Sequence, residues 1–169
     1  MDSTSEARLA GVHPRLAAIV RSVYDQLEPN GIVIRVTSGT RGKEEQDADY
    51  AKGRNADGEI VEPHMVVTHA PYGYSAHNFG MAIDAVPGVR GVTPWEPNWK
   101  VSSPDFQAMV VAFEQAGCVA GIRWPEPRTD ADHFQLPGQP VTPTTEMRIA
   151  LLHGGVQAVW EKFAPEGLS

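Results

Sequence analysis

A charged residue inside a short apolar run is the strongest constraint on the fold of this sequence. The run Met81–Val86 lies between Gly80 and Pro87 and predicts a buried strand, yet it contains Asp84. Because an uncompensated carboxylate is costly in an apolar setting, the fold must bring a cation, a metal ion or several hydrogen-bond donors to Asp84. Gly80 allows a tight turn that returns His77 to the vicinity of this carboxylate.

A second histidine supplies the remaining ligand of a candidate metal site. His133 begins a short strand-like segment that ends at Pro137, and Asp130 and Asp132 precede it as candidate proton acceptors. Two imidazoles and one carboxylate form the ligand set of catalytic zinc sites, which keep one position for water and lower the pKa of that water to roughly 7. The predicted Zn²⁺ ligands are His77, Asp84 and His133.

Simpler explanations exist for each of these residues taken alone. His77 is compatible with a hydrogen-bonded turn, and Asp84 could pair with an arginine such as Arg41. The combination of His77 and Asp84 at this spacing with a later Asp-x-x-His favours zinc. The other four histidines are interpreted as capping, surface or substrate-side residues rather than ligands: His13, His64, His69 and His153.

The motifs resemble a known family. Ser-x-His-x-x-Gly-x-Ala-x-Asp at residues 75–84 and Asp-x-x-His-Phe-Gln at residues 130–135 are similar to the zinc peptidases that include D-alanyl-D-alanine carboxypeptidases and the L-alanyl-D-glutamate peptidases of phage endolysins. The segment Val36–Arg41, followed by Glu45 and Gln46, resembles the Ser-Gly-x-Arg-Ser segment of the family, and Trp124 fits as well. The resemblance covers about residues 8–137.

The resemblance implies a role for each matching residue. It assigns His77, Asp84 and His133 to zinc, Asp130 to the general base, Arg41 to the substrate or the oxyanion, and Gln46 and Ser75 to substrate binding. A surface role for Arg41 and a turn-forming role for Ser75 remain alternatives.

Two positions depart from the family pattern. Gly42 replaces the usual serine after Arg41, which puts one substrate hydrogen bond in doubt. Asp132 occupies the place often held by proline, so two aspartates compete for the role of base. Strand alternation would turn Asp132 away from the face that carries His133, which favours Asp130.

The resemblance implies a zinc peptidase that cleaves peptidoglycan stem peptides. Within the family, it favours an endolysin-like L-alanyl-D-glutamate endopeptidase. A D-alanyl-D-alanine carboxypeptidase or dipeptidase with the same zinc chemistry is the nearest alternative. Hedgehog-type signalling domains resemble the same metal site yet act as binding proteins, so a zinc-containing cell-wall-binding module is a second alternative. A purely structural zinc is a third.

Composition and charge narrow the partners and the location. The chain has 169 residues, 41% of them hydrophobic, and one cysteine, which excludes an internal disulfide framework. A net charge of -7 argues against general nucleic-acid binding. No apolar stretch is long enough to span a membrane, and the first residues do not resemble a secretory signal. We therefore expect synthesis in the cytoplasm. The resemblance implies action on the cell wall, for example after phage-induced lysis, and we also expect a monomer.

From the predicted helices and strands, and from the resemblance to hedgehog and D-Ala-D-Ala peptidase folds, we expect an α+β fold with a small, mainly antiparallel sheet that carries the zinc site and helices packed on its other face. Helices are predicted from Pro14 to about Pro29, over Lys43–Lys52 and from Pro104, and a strand over Ile32–Val36. Residues 54–70 are predicted to form a long loop. We expect one peptidase domain over residues 1–169, with a catalytic core at about 8–137 and a C-terminal helical tail at 141–165.

Overall fold

The computed structural model describes residues 1–126 and 128–164 and has an α+β fold. Its sheet has the strand order β1-β2-β4-β3, and every neighbouring pair is antiparallel, so the predicted fold class is confirmed. The strands are β1 (Ile34–Ser38), β2 (Ala82–Pro87), β3 (Val119–Ala120) and β4 (His133–Gln135). The α-helices of the described residues are α1 (Ser3–Leu9), α2 (Pro14–Leu27), α3 (Lys43–Ala51), α4 (Pro104–Gln115) and α5 (Thr145–Phe163), and short 3₁₀ helices occur between them.

One face of the sheet packs against helices and the other carries polar side chains. Phe113 of α4 stacks on Phe134 of β4 with ring centroids 4.1 Å apart, and both rings are fully buried. Because side chains alternate along a strand, the residues on either side of Phe134 point to the opposite face. The helix-covered core therefore leaves the other face of β2 and β4 free for Asp84, His133 and Gln135.

Helix α1 was not predicted from the sequence, and it covers the outer edge of β1. The Ser5 hydroxyl accepts a hydrogen bond from the Val36 amide (3.1 Å), and Arg8 donates to the Val36 carbonyl (2.6 Å). These side chains satisfy backbone groups that an edge strand otherwise exposes. Strand β1 begins two residues later than predicted, and the short strand β3 was also missed.

The C-terminal tail packs against the part of the chain that precedes β2. Trp160 of α5 donates its indole N–H to the Phe79 carbonyl (2.7 Å), and Gly155 interrupts the helix with a φ of 66°. The predicted end of the tail at residue 165 lies outside the described residues. Within the described residues, no helix combines the length and apolar character needed to cross a membrane.

Candidate metal centre

Strand register places two of the predicted ligands side by side. In β2, Asp84 pairs with Ser38 of β1 on one side and with His133 of β4 on the other. Directly opposed residues on one face of an antiparallel pair have their Cβ atoms about 4.5–5.5 Å apart. The sheet alone therefore brings the Asp84 carboxylate and the His133 imidazole together.

The third ligand reaches the same point from a short 3₁₀ helix, Ala76–Phe79. Ser75 caps this helix by accepting a hydrogen bond from the His77 amide (3.4 Å). Gly80 ends it in the left-handed region with a φ of 61°, where an added Cβ would lie 2.8 Å from both the Gly11 carbonyl and the Trp160 ring. The turn therefore requires glycine at position 80, as the sequence predicted.

Three side-chain atoms converge at the centre. His77 Nε2 lies 3.1 Å from Asp84 Oδ1 and 3.2 Å from His133 Nδ1, and the last two atoms are 3.4 Å apart. Both imidazoles are buried, with His77 only 1% exposed. Among the described residues, this is the group of His, Cys, Asp and Glu side chains whose geometry could hold a metal ion.

The donor set fits a cation. The Nδ1 atom of His77 lies 2.8 Å from the Gly39 carbonyl, which can only accept, so Nδ1 carries the proton and Nε2 of the neutral ring presents a lone pair. That lone pair faces a carboxylate oxygen and a second imidazole nitrogen. Around a tetrahedral ion with bonds of about 2.0–2.1 Å, ligand atoms lie roughly 3.3–3.4 Å apart, close to the separations observed here. The three residues therefore fit zinc.

Arg41 lies beside the same carboxylate. Its Nη2 atom is 3.5 Å from Asp84 Oδ2, and its Nη1 atom is 3.8 Å from Asp49. Asp84 thus faces the imidazoles with one oxygen and the guanidinium with the other, so the arginine pairing and the metal role are compatible. Burial opposes ionisation of Asp84, but in the metal-free protein the positive charge and hydrogen bonds of protonated His77 and His133 hold the pKa of this carboxyl well below its usual range.

The two candidate bases both line the cavity above the centre. Asp130 is half exposed, and its Oδ2 atom lies 4.0 Å from His133 Nδ1. Burial, reinforced by the charges of Asp84 and Asp130, raises the pKa of Asp132 to about 7. The expectation that alternation turns Asp132 away is wrong, because residues 131 and 132 form a turn and the strand begins only at His133.

The structure places Gln46 beneath the site rather than in the cavity. Its side chain is fully buried, its Nε2 donates to the Ala70 carbonyl (2.7 Å), and its Oε1 accepts from Asn78 (3.0 Å). Both polar atoms are therefore occupied within the protein, which differs from the predicted contact with substrate. Ser75, by contrast, lines the cavity in addition to capping the turn.

Sequence reasoning missed Asn78, which connects three segments. Its amide nitrogen donates to Gln46 and to the Arg41 carbonyl (3.2 Å), and its oxygen accepts from the Gly73 amide (2.9 Å). The available signal was an asparagine inside the turn between His77 and Gly80, since asparagine in turns commonly hydrogen-bonds nearby backbone groups.

The site opens into a cavity of about 1230 Å³. The Trp124 ring lies 4.9 Å from the His133 ring, and Val67, Tyr74 and Val141 form apolar parts of the wall. His69 lines the cavity, in keeping with its predicted substrate-side position. The cavity can hold several residues of an extended peptide.

Comparisons with known proteins match the segment that carries this centre. A family model described as D-alanyl-D-alanine carboxypeptidase matches residues 68–136. The peptidoglycan L-alanyl-D-glutamate endopeptidase CwlK of Bacillus subtilis is 44% identical over 77 residues, which are 43% of this chain and 40% of that protein. The match thus spans about two fifths of the length of this relative.

Solved structures show the same fold. The L-Ala D-Glu endopeptidase ChiX of Serratia marcescens superposes with a TM-score of 0.51 at 25% identity, covering 80% of this chain and 88% of that one. The LD-carboxypeptidase LdcB gives a TM-score of 0.53 at 19% identity, covering 89% and 69%. Together these comparisons confirm the family resemblance predicted from the sequence.

Proposed function

Given this confirmed resemblance to the zinc peptidases that include D-alanyl-D-alanine carboxypeptidases and L-alanyl-D-glutamate peptidases, we propose that the protein is a zinc-dependent peptidoglycan peptidase that hydrolyses the L-alanyl-D-glutamate bond of stem peptides. The convergence of His77, Asp84 and His133 on the floor of an open cavity carries the proposal. The choice of bond is supported by the sequence similarity to CwlK and ChiX, which are both named as L-alanyl-D-glutamate endopeptidases.

The chain's own residues divide the chemical work. When bound by His77, Asp84 and His133, zinc would activate a water molecule and polarise the scissile carbonyl. Asp130, at the cavity mouth, accepts the proton of the attacking water and passes it to the leaving amine. Arg41 lies deep in the cavity with an unpaired Nε, and its permanent charge stabilises the developing oxyanion or a substrate carboxylate.

Digestion of purified sacculi by the zinc-loaded protein tests the proposal. We expect newly freed amino termini on D-glutamate, identified by mass spectrometry after amine labelling. The Asp84→Ala variant serves as the control, because it removes a ligand and should release nothing. A zinc-loaded wild-type protein that frees no termini and no amino acids would overturn the enzymatic proposal and favour a binding module.

A second candidate is a D-alanyl-D-alanine carboxypeptidase. The description of the matching family model favours it. The same digest separates the two, because the carboxypeptidase releases terminal D-alanine and leaves the L-alanyl-D-glutamate bond intact. Release of D-alanine alone would contradict the endopeptidase proposal and support the carboxypeptidase.

We further propose that the protein acts as a monomer on the cell wall, reached after lysis as in endolysin-like peptidases. The resemblance to cell-wall endopeptidases supports the site of action. Sedimentation of the purified protein tests the oligomeric state. Addition of the protein to intact cells tests whether it reaches and degrades the cell wall from outside.

A further inference from the structure

Unpaired buried polar atoms cluster around one cavity. In the described part of the chain, five buried side-chain nitrogen or oxygen atoms lack a hydrogen-bond partner, and all five residues line the cavity above the metal centre. Buried polar groups are normally paired, so such atoms indicate positions where a ligand completes the hydrogen bonds. The five atoms are Thr37 Oγ1, Arg41 Nε, Trp124 Nε1, His133 Nε2 and Gln135 Oε1.

Three of the five residues have no place in the chemistry described above: Thr37, Trp124 and Gln135. Of these three, Gln135 is buried, whereas Thr37 and Trp124 are partly exposed. Gln135 is therefore the strongest candidate among them. It lies in β4 two residues after His133, so both side chains point to the cavity face of the sheet. Its side chain is almost completely buried, with 1% exposure. Two residues along a strand correspond to about 6.5–7 Å, which sets the separation of Gln135 from the metal centre along the sheet.

The orientation of the Gln135 amide is fixed by the chain itself. Its Nε2 donates to the Pro140 carbonyl (2.6 Å), and a carbonyl can only accept, so the other amide atom must be the oxygen. That oxygen is buried and unpaired, and Gln135 is one of the residues that line the cavity. Gln135 therefore presents a neutral, oriented acceptor to whatever occupies the cavity.

We propose that Gln135 Oε1 is a substrate-binding acceptor that takes a main-chain N–H of the stem peptide near the cleaved bond. A peptide offers such a donor at every residue, and a neutral amide oxygen pairs with a neutral N–H without an uncompensated charge. An extended peptide advances about 3.3–3.6 Å per residue, so an N–H within two residues of the reacting carbonyl reaches Gln135. This inference rests on the proposed peptidase function.

Substrates in which single peptide bonds are replaced by esters test the inference. Each ester removes one N–H and keeps the shape of the peptide. We expect wild-type kcat/KM to fall by about 10- to 100-fold for one position other than the cleaved bond, because a buried acceptor is then left without a partner. Gln135→Met, which has no acceptor oxygen, should cleave the all-amide peptide more slowly and show no additional loss with that ester.

Equal ester losses in wild type and Gln135→Met at every position would overturn the inference, as would a wild type that tolerates every ester. Gln135→Glu provides a second comparison should the methionine variant fail to fold. Its charged oxygen is a stronger acceptor, so the loss at the same position should persist or grow, and its disappearance there would also overturn the inference. A wild type that cleaves none of the peptides refutes the proposed function itself, and the inference with it.

Discussion

The floor and the rim of the cavity are built differently. The floor consists of His77, Asp84, His133 and Arg41, and its imidazoles are at most 5% exposed. The rim consists of Val67, Tyr74, Asp130 and Val141, whose side chains are about half exposed. Packing and hydrogen bonds fix the floor before any ligand arrives, whereas the rim side chains are half open to solvent. We infer that the floor holds the metal and the oxyanion, whereas the rim, apart from the general base Asp130, sets the selectivity for the substrate.

Among substitutions in the rim, replacement of Asp130 should lower kcat the most. We expect Asp130→Ala to retain stoichiometric zinc and lose about 10²- to 10⁴-fold in kcat, the usual contribution of a positioned base. Metal analysis and steady-state kinetics measure both properties. Asp132→Ala is the matched comparison, because this second carboxylate lines the same cavity. An inactive Asp132→Ala beside an active Asp130→Ala would exchange the two roles.

Gln46 connects Asn78, which follows the ligand His77, to the loop at Ala70. We expect its replacement to lower the stability of the protein in addition to any effect on substrate affinity. Gln46→Leu keeps a side chain of similar size but removes one hydrogen bond of Asn78 and leaves the Ala70 carbonyl without its side-chain partner, which should lower the free energy of unfolding by about 1–3 kcal/mol. Urea denaturation measures this difference. Unchanged stability with a raised KM would instead support the direct substrate contact implied by the family resemblance.

The three metal ligands of the floor could be predicted because each lies in a short motif that is recognisable in the sequence, even though His133 lies 56 residues from His77. The three signals are a carboxylate within an apolar run, a histidine before a glycine turn and a later Asp-x-x-His. In the structure, the ligand atoms of Asp84, His77 and His133 lie within 3.4 Å of one another. The fold class followed from the predicted helices and strands and from the family resemblance. Burial of Gln46 could not be predicted, since its partner Ala70 lies 24 residues away in a loop whose course only tertiary packing decides.

Two other differences have equally physical causes. Helix α1 is seven residues long, so it depends on its contacts with the edge of β1 rather than on its own periodicity. The side-chain direction of Asp132 was mispredicted because alternation applies only within a strand, and β4 begins one residue later. Short elements and element boundaries therefore limited the prediction more than the core did.

Trp160 tests whether the floor depends on the tail beyond the segment matched by the family model. Trp160→Phe removes the hydrogen bond to the Phe79 carbonyl, two residues after His77, and should lower stability by about 1 kcal/mol. Zinc affinity should fall as well, by up to tenfold, because the turn that carries His77 loses a support. Chelator competition measures the affinity. Leu152→Ala, at an 80% exposed position of the same helix, should change neither property.

Replacement of Val141 should change the stability of the protein the least. An effect of this substitution on substrate selectivity can therefore be measured without a change in the fold. Because the Val141 side chain is half exposed on the cavity wall, Val141→Ala should change the free energy of unfolding by less than about 0.5 kcal/mol and leave zinc content intact. Val86→Ala removes the same atoms from a fully buried position of β2 and should cost several times more. If the rim sets selectivity, Val141→Ala changes the ratio of kcat/KM values between stem peptides of different sequence. If Val141→Ala instead lowers kcat/KM by the same factor for every peptide, Val141 contributes to catalysis, as the floor does, and not to selectivity.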